Sequence, residues 1–211
     1  GYTGVSASGS APPAARTATT QIAGSEPGNA WGQGKDVPLI AMAHGIPYVA
    51  TATVADLRDL ERKVEKAMSI HGARYIHIFV PCPLGWGAPS GKTVEIARLA
   101  AETGLFPVFE AEYGEVTHAR KIRRLRPVED YLKMQKRFAH LFGKKGDPAT
   151  VARIQAVADR NIERFGLLDG EEDKEMILES YCRIYLETEE EIKLFQVSQN
   201  LAEAFNDYLE I

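Results

Sequence analysis

From Asp36 to Gly114 the chain alternates between two hydrophobic periods, and that alternation restricts its folding more than any other feature. "DVPLIAMAHG" places Val37, Ile40, Ala41 and His44 at helical spacing, with Asp36 as N-cap, Pro38 in the first turn and Gly45 as the stop. "IPYVATAT" is rich in β-branched residues and reads as a short buried strand. "VADLRDLERKVEKAMSIHG" aligns Leu57, Leu60, Val64, Ala67 and Met68 on one face of a helix that Gly72 closes. A strand, "ARYIHIFVP", follows, then a helix, "SGKTVEIARLAAETG", with Ser90 as N-cap and Gly104 at its stop, and then a strand, "LFPVFEAEYG". Helix and strand in turn, at these spacings, suit parallel crossovers, so the expected class is α/β with a parallel sheet.

After Gly114 the pattern changes. "EVTHARKIRRLRP" reads as a short strand or hairpin arm leaving the sheet. Beyond Pro127 the chain reads as helical: "VEDYLKMQKRFAHLFG", then a helix capped by Asp147 with Pro148 at its first position, then a long acidic run from Glu171. Ile192, Phe195, Leu201, Phe205 and Leu209 give that run a broken apolar stripe. The expected division is an α/β domain over residues 1–126 and a helical C-terminal extension over 127–211.

Composition narrows the function classes. The chain of 211 residues is 45% hydrophobic and 26% charged, as expected of a globular protein. No apolar stretch approaches the roughly 18 residues that span a bilayer. A net charge of −4 gives no overall attraction to nucleic acid or to an anionic membrane. Cys82 and Cys182 make no disulfide framework at this length, and with no leader sequence the expected setting is the reducing cytoplasm.

The candidate chemistry is sparse. In "FVPCPLGWG", Cys82 stands between Pro81 and Pro83, which remove backbone donors and stop the preceding strand. Ligands of open α/β sheets bind beyond the carboxyl ends of strands, so the position fits a ligand or a nucleophile, although a lone cysteine also fits a structural role. Cys182 falls among Tyr181, Ile184 and Tyr185 and reads as core. Histidines 44, 71, 77, 118 and 140 show no metal spacing and read as structural. Glu110 and Glu112 alternate at a strand end and read as a solvated rim rather than an acid–base pair. Ser90–Lys92 lacks the glycines of a phosphate loop. Arg120, Lys121, Arg123, Arg124 and Arg126 form a basic run without interleaved aromatics. It suits acidic C-terminal helices, a neighbouring subunit or an acidic electron carrier better than nucleic acid. Residues 1–34 hold only Arg16 and Glu26 as charges, which fits a linker or a loop lying against a ligand.

Taken together, "YTGVSASGSAPPAA", "AHGIPYVATAT", "PCPLGWG" and "GKTVEIARLAAETGLFPVFE" resemble, in order, the β subunit of the pyruvate:ferredoxin oxidoreductase family, the thiamine-dependent 2-oxoacid:acceptor oxidoreductases. The resemblance covers roughly Tyr2 to Gly114. It implies a thiamine-diphosphate-binding sheet whose cofactor loop occupies residues 1–35, with Thr3 and Gly4 approaching thiamine diphosphate and its Mg2+. It implies that Cys82 is the last of four thiolates on a 4Fe–4S cluster. It also implies oxidative decarboxylation of a 2-oxoacid, acyl transfer to coenzyme A, partner subunits, and ferredoxin or another electron acceptor. Tyr2 stands where the family usually has an asparagine near the substrate, so an aryl glyoxylate such as phenylglyoxylate rivals pyruvate. The family's other cluster cysteines and its Gly-Asp-Gly segment precede the loop. The expectation is therefore that this chain is a C-terminal portion of a subunit or is completed by a separate polypeptide. A non-catalytic assembly subunit is the alternative.

Overall fold

The computed structural model describes residues 14–16, 22–23, 26–27, 36–144 and 146–168. Two two-residue strands, β1 (Ile22–Ala23) and β2 (Glu26–Pro27), pair antiparallel. The main sheet has four strands: β3 (Tyr48–Thr53), β4 (Arg74–Phe79), β5 (Phe109–Glu112) and β6 (Glu115–Ala119), in the order β4-β3-β5-β6. Strand β3 is buried at every position, as its apolar run requires of a central strand.

Helix boundaries follow local chemistry. In α1 (Val37–Ala43) the Asp36 carboxylate accepts from Leu39 N, Pro38 lies in the first turn, and Gly45 leaves with φ +62°. In α6 (Pro148–Phe165) Asp147 accepts from Thr150 N, and Gly166 ends the helix in the left-handed region at φ +55°. α4 (Thr93–Glu102) departs from expectation. Ser90 opens a separate 3-10 turn over Ser90–Lys92, and Lys92 stands at the N-cap without a side-chain cap.

The sheet is mixed rather than parallel. β4 pairs parallel with β3, Tyr48 opposite Arg74 through Thr53 opposite Phe79. β5 runs antiparallel to β3, with Val49 opposite Ala111, and then pairs antiparallel with β6 through Tyr113 and Gly114, both at positive φ. Alternation gives element order, but the turn before a strand sets its direction. After α4 the chain turns at Gly104, whose φ of +76° and 2.6 Å approach to Ile162 leave no room for a Cβ. Phe106 N then bonds Ala100 O. Pro107 arrives beside the carboxyl half of β3, where the Thr51 hydroxyl donates to its carbonyl at 2.7 Å and accepts from Phe109 N at 2.9 Å. The hairpin arm expected after Gly114 is β6.

Helix α2 (Leu57–Ser69) packs on a face rotated from the one its apolar spacing predicts. Ala67 is buried and Leu60 half-buried as expected, but Leu57 and Met68 are 66% and 73% exposed and Val64 is exposed, whereas Lys63 is buried. The sheet explains the rotation. Below α2 lie Tyr48 and Glu110, so the side chains that can satisfy them are Lys66 and Arg62, while Lys63 reaches Thr51 O at 2.8 Å and Asp59 at 2.6 Å. Buried charges with partners override an apolar stripe of modest area.

Beyond the sheet, α5 (Val128–Lys133), a 3-10 turn over Lys136–Leu141 and α6 share one core with α4. Ile96, Leu99 and Ala100 pack there with Val128, Tyr131, Leu132, Phe138, Ile154 and Ala158. The acidic run from Glu171, Cys182 and the apolar stripe from Ile192 lie outside the described residues.

Candidate functional site

Strand β4 stops at Phe79, and the Pro-Cys-Pro sequence converts its end into one helical turn, α3 (Pro83–Trp86). Cys82 is the N-cap of that turn. Pro83 occupies the first helical position, where no amide hydrogen is needed, and Gly87 ends the turn at φ +62°. The Cys82 thiol is free and partly buried, and its Sγ accepts from Gly85 N at 3.4 Å. It is therefore a sulfur with a fixed direction, at the carboxyl end of a strand, packed like Phe79 and Ala88 against the edge of the main core.

Three other segments meet this turn. Lys136 N donates to Gly87 O at 3.3 Å, and a Cβ on Gly87 would lie 2.7 Å from Lys136 Cβ, so glycine permits the close approach of the two turns. That approach brings Arg137 over Trp86, with its guanidinium carbon 3.9 Å from the ring centroid. Arg137 is 3% exposed, and it donates to Gln135 Oε1 at 2.8 Å and to the Tyr131 hydroxyl at 3.0 Å. Burial pushes the guanidinium below its ordinary value, and Tyr131 and Cys82 act in the opposite direction. The third segment is Ala14–Arg16. Arg16 N donates to Arg137 O at 2.8 Å, Ala14 adopts φ +64°, and Ala15 is buried in the same core as Trp86 and Phe138. Residues 14–16 thus dock on the backbone of Arg137 and on the core against which Cys82 packs. Tyr2, Thr3 and Gly4 lie outside the described residues.

A four-thiolate cluster fits this corner as one ligand of four. Cys82 offers a directed sulfur with an N–H···S bond, and the buried Arg137 guanidinium lies over Trp86, the last residue of the turn that Cys82 caps. Among the described residues no three His, Cys, Asp or Glu side chains gather as a metal site, so a cluster at Cys82 would need its other ligands from outside them.

The other candidates separate. Glu110 is not a solvated rim: it is 1% exposed and accepts from the Tyr48 hydroxyl at 2.9 Å and from Lys66 at 3.1 Å, with Arg62 paired at 3.1 Å. Burial pushes its carboxyl up, but the bonds from Lys66 and Tyr48 and the charges of Lys66 and Arg62 outweigh this and hold it below the ordinary carboxylate value. Glu112 is half-exposed and pairs with Lys66. His44 is the C-cap of α1, and His77 packs edge-on to Tyr75 and Phe106, with burial holding it below its ordinary value. In the basic run, Arg120 pairs with Asp56 and Arg126 with Asp130. Arg137 and Trp86 were absent from the sequence candidates. One signal was available: Arg137 is three residues after Met134 and four before Leu141, on the apolar stripe of its segment.

No helix among the described residues is long and apolar enough to cross a membrane. No family model matches the chain. Its similarity to individual proteins is clear. A pyruvate synthase subunit PorB of Methanosarcina barkeri is 49% identical over 165 residues, 78% of this chain and 55% of that protein. A pyruvate synthase subunit PorB of Methanocaldococcus jannaschii is 46% identical over 165 residues, 78% of this chain and 53% of that protein. A ketoisovalerate oxidoreductase subunit VorB of Pyrococcus abyssi is 47% identical over 109 residues, 51% of this chain and 35% of that protein. The chain spans about half the length of the curated relatives it matches.

Proposed function

The chain belongs to the β subunits of the 2-oxoacid:ferredoxin oxidoreductases, and on that premise we propose that it works in a cytoplasmic multi-subunit complex that oxidatively decarboxylates a 2-oxoacid, with pyruvate the first substrate to test. One observation carries the reading: within a sequence 49% identical to a pyruvate synthase β subunit, the lone described cysteine is fixed at a strand end beside the docked end of a small-residue loop. Cys82 holds one iron of a 4Fe–4S cluster, and Pro81 and Pro83 fix the sulfur's direction. Small residues of the loop let backbone amides at Thr3 and Gly4 approach thiamine diphosphate and its Mg2+, and Tyr2 faces the substrate. Bound thiamine diphosphate supplies the electron sink that decarboxylation of a 2-oxoacid requires. A cluster held by Cys82 would supply a one-electron path to ferredoxin or another acceptor, with coenzyme A as the acyl acceptor. The sheet is of the thiamine-binding type in this reading, and the other subunits complete the site.

Tyr2 favours a second substrate. A phenol ring in place of a small amide offers a stacking face, which suits phenylglyoxylate. The test is thiamine analysis of the complex purified anaerobically with this chain, followed by substrate-dependent bleaching of its iron–sulfur absorbance. Stoichiometric thiamine and bleaching by pyruvate support the first substrate; bleaching by phenylglyoxylate alone supports the second. A complex without thiamine that neither acid reduces overturns the catalytic reading and leaves an assembly subunit.

A further inference from the structure

Two cationic side chains among the described residues are almost fully buried, Lys63 and Arg137. Lys63 meets Asp59. The contacts of Arg137 among the described residues are all uncharged: Gln135 Oε1, the Tyr131 hydroxyl, and the faces of Trp86 and Phe138 at 3.9 and 4.8 Å. Hydrogen bonds and ring faces lessen the cost of burying a cation without neutralising it. The thiol that geometry places nearest is Cys82, which caps the turn whose last residue, Trp86, carries the guanidinium on its ring face and donates from its N to Cys82 O at 3.0 Å. A second buried donor in the same place, Trp86 Nε1, has no acceptor among the described residues. The guanidinium also has no freedom to leave. Its backbone is held by Arg16 N, and the adjacent Lys136 is locked against Gly87.

We infer that Arg137 is the fixed counter-cation of the iron–sulfur centre at Cys82 and that its charge holds the reduction potential of that centre up. The inference rests on the assignment of Cys82 proposed above. A thiolate-ligated cluster is anionic, and each one-electron reduction adds one further negative charge to it. A cation held close by in apolar surroundings stabilises the reduced form more than the oxidised form. Arginine suits the position because its planar fork donates to Gln135 Oε1 and to the Tyr131 hydroxyl while its face stacks on Trp86. Arg137 is thus a positioning residue for electron transfer, acting on the potential through space.

The test is an anaerobic, mediated redox titration of the whole purified complex, followed by electron paramagnetic resonance, for the native chain and for Arg137→Met, Arg137→Lys and Cys82→Ser. In Arg137→Met one cluster should become harder to reduce by about tenfold in its equilibrium constant, roughly 59 mV for one electron. Arg137→Lys should restore most of that shift, and the shifted cluster should be the one lost or altered in Cys82→Ser. If Arg137→Met does not assemble, a potential in Arg137→Lys that stays near native supports a role for charge, and one that falls by the full amount overturns it. Unchanged potentials in Arg137→Met, with a cluster altered by Cys82→Ser, overturn the inference and leave the Cys82 assignment standing. Clusters indifferent to Cys82→Ser overturn both.

Discussion

Two regions of this molecule bury charge, and they do so in opposite ways. Under α2, Asp59, Arg62, Lys63, Lys66 and Glu110 form a chain in which every cation meets a carboxylate and the Tyr48 hydroxyl takes up a remaining lone pair. At the Cys82 corner, Arg137 is buried as deeply among neutral groups. A neutralised network is complete in itself and fixes how a helix sits on a sheet. A cation without a counter-charge carries a persistent desolvation cost, and such a cost is offset when an anionic group binds beside it. The first arrangement is structural; the second suits a site.

The largest effect should come from breaking the neutralised region. Glu110→Ala leaves the buried Tyr48 hydroxyl without its acceptor and takes one of two carboxylates from each of Lys66 and Arg62, and should cost about 3 kcal/mol, read from the denaturation midpoint. Gly87→Ala should come next. It forces a side chain at positive φ against Lys136, costs about 1–3 kcal/mol, and separates the two turns that bring Arg137 to Cys82. Arg137→Met should cost about 1 kcal/mol or less. It loses two hydrogen bonds, orphans no opposite charge and removes a desolvated one. If Arg137→Met is as damaging as Glu110→Ala, the contrast between the regions is wrong.

Acid should reveal the same contrast. Glu110 and Asp59 are both held below their ordinary values of 4.5 and 3.8. For Asp59, burial pushes up and the bonds from Lys63 and Arg62 outweigh it. A depressed carboxylate contributes stability that is complete above its unfolded value and is lost as pH falls through its folded value. Stability should therefore decline as pH drops below about 4.5. In Glu110→Gln that decline should be shallower, as measured by urea midpoints across the acid range, and an unchanged slope would place the loss elsewhere.

Much of the local structure was legible in the sequence, because capping is local chemistry. Asp36, Asp147, Gly45 and Gly166 act within a few residues, and β3 announces itself by an apolar β-branched run. Strand direction was not legible. The antiparallel entry of β5 depends on Gly104 meeting Ile162, which is 58 residues away in sequence. The face of α2 was legible at Ala67 but not at Lys63, which is polar in isolation and becomes interior only when Thr51 O lies below it and Asp59 beside it. Cys82 stood out because prolines flank it. Arg137 did not, since a basic residue on an apolar stripe acquires meaning only from Trp86 and Cys82 across the fold.

The most direct measurement is iron and acid-labile sulfide per complex, for the native chain and for Cys82→Ser, purified together under strict anaerobiosis. Loss of one cluster's iron and sulfide, or its conversion to a form with altered magnetic resonance, is the predicted result. Identical iron, sulfide and spectra in the two preparations would contradict the assignment of Cys82.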